Sequence, residues 1–356
     1  MSVNLPGKVA LLLSSLKFGG AERVTLTIAK ALQDSGVIVE ILLMSNEGEF
    51  VEEANLYFKV FDLKCNKTYK LPLKLFFYYI NNKPNVIISS FWKLNLCTCI
   101  SKLIYPFVKI ILWEHSPPSK NKNNNKILYY TSASILYRLA KKVIVVSSGV
   151  YKDVASWTYS LENKLIIIYN AIPQPKFSTL PKAKSCNGKV IVWVGRLDKP
   201  KNPMLMLEAF NLISPDIDCK LLIVGDGVLM PELLSRCKEL NLEGRVKFLG
   251  YQQNPYEYIV SSDLLVLSSD REGLGNVIIE AMHCGLRVVS TDCGEGIHDI
   301  LLNNIYGSIV PCRDEYKMAR AIEYELYNNY DFEFQKKGAE RFLPQTIVQQ
   351  FLLVMQ

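Results

Sequence analysis

With 356 residues, 49% hydrophobic and 21% charged, the chain has the composition of a globular protein with large cores and room for two domains of ordinary size. Nine cysteines occur without a Cys-x-x-Cys pair, and Cys97-Thr98-Cys99 is poor zinc spacing. This excludes a disulfide framework and predicts free, mostly buried thiols in a reducing compartment. The net charge of +7 is uneven: through Pro175 there are 21 Lys+Arg against 11 Asp+Glu, and beyond it 20 against 23.

Met1–Lys8 lacks the basic-then-apolar pattern of a leader. Lys8–Leu13 reads as a buried strand and Ala21–Gln33 as a helix, with Gly19 and Gly20 between them. Further strands follow at Val37–Met44, Val86–Ser90, Ile110–Trp113, Val143–Ser147 and Leu165–Tyr169, with helical stretches around them. Continuous apolar runs, instead of alternation, predict strands covered on both faces, hence a parallel, doubly wound α/β sheet. No run reaches the ~18 uninterrupted apolar residues of a spanning helix. Two segments of this half mix basic, aromatic and apolar residues at helical spacing: Lys70–Tyr79, and Lys126–Tyr130 with Leu136–Lys142. Such segments fit either an anionic membrane surface or a solvated face over an ordinary core helix. Nucleic acid is not expected, because no recognised motif accompanies the charge.

Residues 171–188 are rich in proline, lysine and serine and read as a linker between domains 1–170 and 189–338. The second set of strands is Lys189–Val194, Cys219–Val224, Val246–Leu249, Leu264–Leu267, Arg287–Ser290 and Ser308–Val310. Helices lie between them at Pro203–Leu212, Pro231–Leu240, Pro255–Ser261, Asn276–Cys284 and Glu315–Asn328. Residues 339–356 end the chain as a helix with Phe342, Ile347, Phe351 and Leu352 as its apolar stripe.

Ligands of open parallel sheets bind beyond the carboxyl ends of strands, which sorts the candidates. Arg196 and Lys201 follow a strand, and a guanidinium with an ammonium suits a diphosphate. Glu272 lies in the turn after Leu264–Leu267, followed by Gly273, Leu274, Gly275 and Asn276. The glycines admit a ligand close to the backbone, Asn276 reads as an N-cap, and the helix start offers N–H groups to an anion. Glu280 stands about one turn into that helix, so two carboxylates are available for hydroxyls. His115 follows another strand, as do Gly225 and Tyr251, whereas Asp216-Ile217-Asp218 precedes a strand and reads as a solvated loop. No three-ligand metal set presents itself, and His283 and His298 are not expected to act in catalysis.

Glu272 to Glu280 resembles the E-x7-E signature of retaining GT-B glycosyltransferases of family 4. Gly195-Arg196 through Lys201-Asn202 is similar to that family's diphosphate segment, Gly225-Asp226-Gly227 to its G-x-G turn, Ser14–Arg23 to its glycine loop, and Glu114-His115-Ser116 to its histidine segment. These occur in family order over most of the chain. The resemblance implies two facing Rossmann-like domains with a cleft, the last helix crossing back to the first domain. It also implies metal-independent, retaining transfer of a hexose or N-acetylhexosamine from a nucleotide sugar, with UDP as the expected carrier. The implied catalytic residues are Glu272, His115, Arg196 and Lys201. The implied donor contacts are Gly19, Gly20, Arg196, Lys201, Gly225, Tyr251, Glu272, Gly273, Leu274, Gly275, Asn276 and Glu280. The acceptor would be a glycan or a polyprenyl-diphosphate-linked sugar, met by a cytoplasmic protein peripheral at the inner membrane face. Leu274 and Gly275 depart from the aromatic and proline often found there, which leaves sugar selectivity open. A nucleotide-sugar epimerase of the same fold and a non-catalytic partner subunit are the alternatives.

Overall fold

The computed structural model describes residues 6–120, 126–158, 161–175, 188–328 and 331–356; most of the linker, and the side chains of 126–129 in the second basic aromatic segment, lie outside them. The chain divides into two compact units, Met1–Ile172 with Phe342–Gln356, and Pro173–Arg341.

The first unit runs β1 (Lys8–Leu13), α1 (Gly20–Asp34), β2 (Ile38–Leu43), α2 (Val51–Tyr57), β3 (Lys59–Asp62), α3 (Leu71–Asn82), β4 (Val86–Ser90), α4 (Trp92–Ile104), β5 (Lys109–Glu114), α5 (Lys126–Leu136), β6 (Lys142–Val145), α6 (Ser148–Trp157) and β7 (Leu165–Ile167). Its strands form one parallel sheet in the order β3-β2-β1-β4-β5-β6-β7. The apolar runs are buried as expected: Val9–Leu13 and Val86–Ser90 have almost no exposed surface. The short α2 and the edge strand β3 are additions to the sequence reading. Lys-Val-Phe-Asp is half exposed, so it shows no buried run.

The second unit runs β8 (Lys189–Val194), α7 (Pro203–Asn211), β9 (Cys219–Val224), α8 (Met230–Glu239), β10 (Val246–Gly250), α9 (Tyr256–Val260), β11 (Leu264–Leu267), α10 (Asn276–His283), β12 (Arg287–Thr291), α11 (Glu295–Leu301), β13 (Ser308–Val310), α12 (Glu315–Tyr327) and α13 (Phe332–Ala339). Its parallel sheet has the order β10-β9-β8-β11-β12-β13. In both sheets the order reverses beside the first strand, between β1 and β4 and between β8 and β11. That is the switch point where the carboxyl ends of doubly wound sheets receive ligands.

The last helix, α14 (Pro344–Met355), belongs to the first unit. Pro344 stands in its first turn, where the missing N–H costs nothing. Phe351 is fully buried against the Trp113 ring, with centroids 5.0 Å apart, a burial worth about 2–3 kcal/mol. The amide of Ile172 donates to the Phe342 carbonyl at 2.9 Å, which ties the first unit's two chain segments together.

Candidate active site

At the switch point of the second unit, the turn after β8 and the turn after β11 are tied by a shared serine. The Ser268 hydroxyl donates to the carbonyls of Lys201 (3.1 Å) and Asn202 (2.8 Å) and accepts from the buried indole of Trp193 at 2.9 Å. Asp270 adds a backbone link, its amide donating to the Pro200 carbonyl at 2.9 Å. These ties bring Lys201 to Glu272: Lys201 Nζ lies 2.6 Å from Glu272 Oε1, with the side chains 25% and 13% exposed. The same carboxylate oxygen accepts from the Ser269 hydroxyl at 2.6 Å. A cation and a carboxylate are thus held in contact with part of each still open to solvent.

Around this pair the frame is polar and satisfied. Asp270 accepts from Asn202 Nδ2 at 3.1 Å and from Arg313 at 2.8 Å. The Arg313 guanidinium holds the Asp270 carboxyl below its ordinary range against the opposing effect of burial. Arg196 extends from the same turn as Lys201, three-quarters exposed, steadied by Asp198 Oδ2 at 3.0 Å. One cation is therefore held in the partly buried frame, and the other stands mostly in solvent beside Asp198.

Gly275 takes φ +95°, the left-handed region that favours glycine, and is the residue that caps α10. Asn276 is consequently the first helical residue and not the cap, a correction to the sequence reading: the positive φ needed at the turn places the helix start one residue later. Leu274 is buried, and Glu280 stands half-buried in mid-helix. Its charge adds to burial in pushing the Cys284 thiol up to about 12. Gly225, at φ +138°, lies so close to the Gly195 carbonyl that a Cβ would sit 1.8 Å from that oxygen. Its amide donates to the Gly250 carbonyl at 2.8 Å, next to the half-exposed Tyr251. The turns bearing Arg196, Gly225 and Tyr251 therefore adjoin through their backbones. Asp216 and Asp218 precede β9, at the sheet's opposite edge, and no group of three metal-ligating side chains occurs among the described residues.

The first unit has its own switch-point residues. Gly19 precedes α1 and Gly20 opens it, with the Glu22 carboxylate folded back against Gly19. Gly19 is extended (φ −169°), so conformational freedom does not account for it. His115 packs on Trp113 (4.5 Å between ring centroids) and Phe91 (5.4 Å). Both of its ring nitrogens are shielded from solvent and lack a hydrogen-bond partner among the described residues. Burial lowers its pKa to about 3, so the imidazole is neutral at physiological pH. The residue that sequence reasoning missed is Phe91. It holds φ +72° at the carboxyl end of β4, an outlier for a bulky side chain, and only backbone geometry reveals it.

Beneath His115, Glu114 is buried and accepts from Asn95 (2.8 Å) and from the Tyr137 hydroxyl. Burial pushes its pKa up to about 7 against the pull of those two donors. The two shifts oppose each other in stability. Near pH 5.5 the folded chain holds one proton here, on Glu114. The unfolded chain, with ordinary values near 4.3 and 6.5, also holds one, on His115, so this pair adds no pH slope. Glu114→Gln removes the compensation. A lowered histidine pKa means stability is lost as pH falls below ~6.5, by about 2 kcal/mol between pH 7 and 5. Denaturant unfolding at both pH values checks this, and a loss in the variant equal to that of the parent would refute it.

The sequence matches the model of "Glycosyl transferases group 1" over residues 188–328 and that of "Glycosyltransferase Family 4" over residues 18–174. A Campylobacter jejuni protein, N-acetylgalactosamine-N,N'-diacetylbacillosaminyl-diphospho-undecaprenol 4-alpha-N-acetylgalactosaminyltransferase, is 31% identical over 331 residues, covering 89% of each chain. A second C. jejuni transferase, which adds alpha-1,4-N-acetyl-D-galactosamine to a diNAcBac-PP-undecaprenol-linked glycan, is 25% identical over 94% of this chain and 93% of its own. Among solved structures, HepE of Anabaena in complex with UDP superposes with a TM-score of 0.83 at 22% identity, over 97% of this chain and 98% of that one. The lipopolysaccharide outer core galactosyltransferase WaaB does so with 0.79 at 18%, over 98% of both.

Proposed function

The chain belongs to the family 4 glycosyltransferases and has their GT-B fold, and from that premise we propose that it transfers an N-acetylhexosamine from a UDP-linked donor to a polyprenyl-diphosphate-linked sugar, with retention and without a metal. The observation that carries the donor side is the 2.6 Å contact between Lys201 and Glu272 at the second unit's switch point. It puts a diphosphate-binding cation beside a carboxylate suited to sugar hydroxyls.

In this reading Glu272 accepts hydrogen bonds from the donor sugar, and Glu280 from the ribose. Gly273, Leu274, Gly275 and Asn276 offer amides to sugar and phosphate. The bond from the anomeric carbon to the diphosphate breaks, and negative charge builds on the leaving oxygens. Arg196 and Lys201 stabilise that charge, which is the support for metal independence. The acceptor hydroxyl attacks from the same face, and its proton passes to the leaving phosphate. In the first unit, the neutral imidazole of His115 keeps two ring nitrogens without a partner among the described residues, and it is suited to a hydrogen bond with a polar ligand at that unit's own switch point. The acceptor class rests on the two C. jejuni relatives, both named for undecaprenol-diphosphate-linked acceptors and alpha products. An alpha product from an alpha-linked donor is net retention.

Thermal unfolding against a panel of nucleotide sugars, with and without EDTA, tests the donor and the metal together. A selective upward shift with UDP-N-acetylhexosamines, unchanged by EDTA, is expected. No shift with any nucleotide sugar would move the binding-subunit alternative ahead. A shift abolished by EDTA and restored by Mg²⁺ would overturn the metal-free mechanism.

A further inference from the structure

Between Leu63 and Lys152 the chain has fourteen lysines and Arg138 but a single acidic residue, Glu114, which is buried. The surface built by this stretch therefore carries no negative side chain of its own. Within it, α3 lies against α4, and the Tyr79 ring meets the Tyr105 ring at 5.6 Å. α3 already buries Leu71, Leu75, Tyr78 and Tyr79 inward. It nonetheless exposes Leu73, Phe77 and Ile80, spaced i, i+4 and i+7, as a second apolar stripe on its outer side. At the end of the neighbouring α4, Leu103 and Ile104 are also 65% and 49% exposed, and Phe107 follows at 81%. Lys67, Lys70, Lys74 and Lys83, on and around α3, are exposed.

An apolar surface of this kind set among uniform positive charge needs a partner that is apolar and anionic together. A second copy would set lysines against lysines, which like-charge repulsion opposes. Nucleic acid would use the lysines and could stack on Phe77 and Phe107, but it would leave Leu73, Ile80, Leu103 and Ile104 without an apolar partner. A bilayer with anionic headgroups satisfies both features: leucine, isoleucine and phenylalanine enter the acyl boundary while lysines meet phosphate. We propose that the α3–α4 face of the first unit, with Phe77, Leu103 and Phe107 inserting, docks this protein on an anionic phospholipid surface. The inference deepens the proposed function and rests on it for its purpose, because a polyprenyl-linked acceptor resides in such a bilayer. No helix among the described residues is long and apolar enough to cross a membrane.

The test is flotation of the full chain with vesicles of phosphatidylglycerol and phosphatidylcholine, or of phosphatidylcholine alone, free of any acceptor. The parent is expected on the anionic vesicles and largely absent from the neutral ones, with binding falling as salt rises. Phe77→Glu/Leu103→Glu should lower the bound-to-free ratio about tenfold or more. Lys70→Gln and Lys74→Gln should each lower it about fivefold at low salt. The thermal shift with nucleotide sugar, unchanged in all of these variants, would certify the fold and the donor site. Parent binding that ignores headgroup charge, or variants that float like the parent, would overturn the proposal. So would loss of a dimer, seen by sedimentation, as the sole effect of the substitutions. Because the vesicles contain no acceptor, failure here leaves the transferase reading standing, and failure of the donor panel leaves the vesicle result standing.

Discussion

Lys201→Ala is expected to lower kcat by about 10²–10³-fold, the size of effect seen when one preorganised donor to a developing oxyanion is removed. The geometry explains why Lys201 should matter at least as much as Arg196. Its ammonium is held 2.6 Å from Glu272 in a frame fixed by Ser268 and Asp270, so little reorganisation is needed when the diphosphate arrives. Arg196 is three-quarters exposed and paired with Asp198 at 3.0 Å, so donor binding would have to desolvate it and compete with that contact. Arg196→Ala should therefore raise KM as well as lower kcat, whereas Lys201→Ala should act mainly on kcat. Lys201→Arg should not rescue, because a planar fork does not reproduce a point charge at that distance. The measurement is steady-state transfer from a UDP-N-acetylhexosamine to a short-chain polyprenyl-diphosphate-linked acceptor. Turnover within threefold of the parent in both alanine variants would sink the proposed site.

The parallel sheets were legible because their strands are continuous apolar runs, from Val9–Leu13 to Leu264–Leu267, and short runs of that kind belong in a sheet covered on both faces. β3 escaped because its four residues are half exposed and its neighbour α2 is a single short helix. At the site, residue types and their order after strands could be read. Contacts could not: Lys201 and Glu272 meet because β8 and β11, distant in sequence, pair directly in the sheet. Ser269 stands only three residues before Glu272, yet a serine in a turn carries no signal for which side chain its hydroxyl will bond. The cap of the helix after Glu272 is ambiguous in sequence by one residue, since both Gly275 and Asn276 are plausible caps and only the +95° torsion decides between them.

Arg287→Met is expected to destabilise the second unit by about 3–5 kcal/mol. Arg287 on β12 and Glu325 on α12 form a bidentate pair, Nε–Oε2 2.8 Å and Nη2–Oε1 2.8 Å, with the side chains 11% and 0% exposed. Removing the guanidinium leaves a buried carboxylate whose main remaining donor is the Ser308 hydroxyl at 2.6 Å. The penalty belongs to that stranded charge and not to the attraction lost. Arg287→Met/Glu325→Leu should therefore recover most of it, since a buried pair replaced by apolar side chains of similar volume is often neutral. Urea unfolding, read by hydrogen exchange in residues 287–291 and 315–327, separates the two outcomes. A single variant within 1 kcal/mol of the parent would contradict the argument, as would a double variant as weak as the single. The pair also bears on catalysis through β12. At that strand's carboxyl end, Thr291 Oγ1 donates to the Ser269 carbonyl at 2.5 Å, and the Cys293 carbonyl just beyond accepts from the Glu272 amide at 3.2 Å. If the ion pair serves to hold β12 in place, the double variant, with the strand still packed, should keep its donor-induced thermal shift, whereas the single variant should lose part of it.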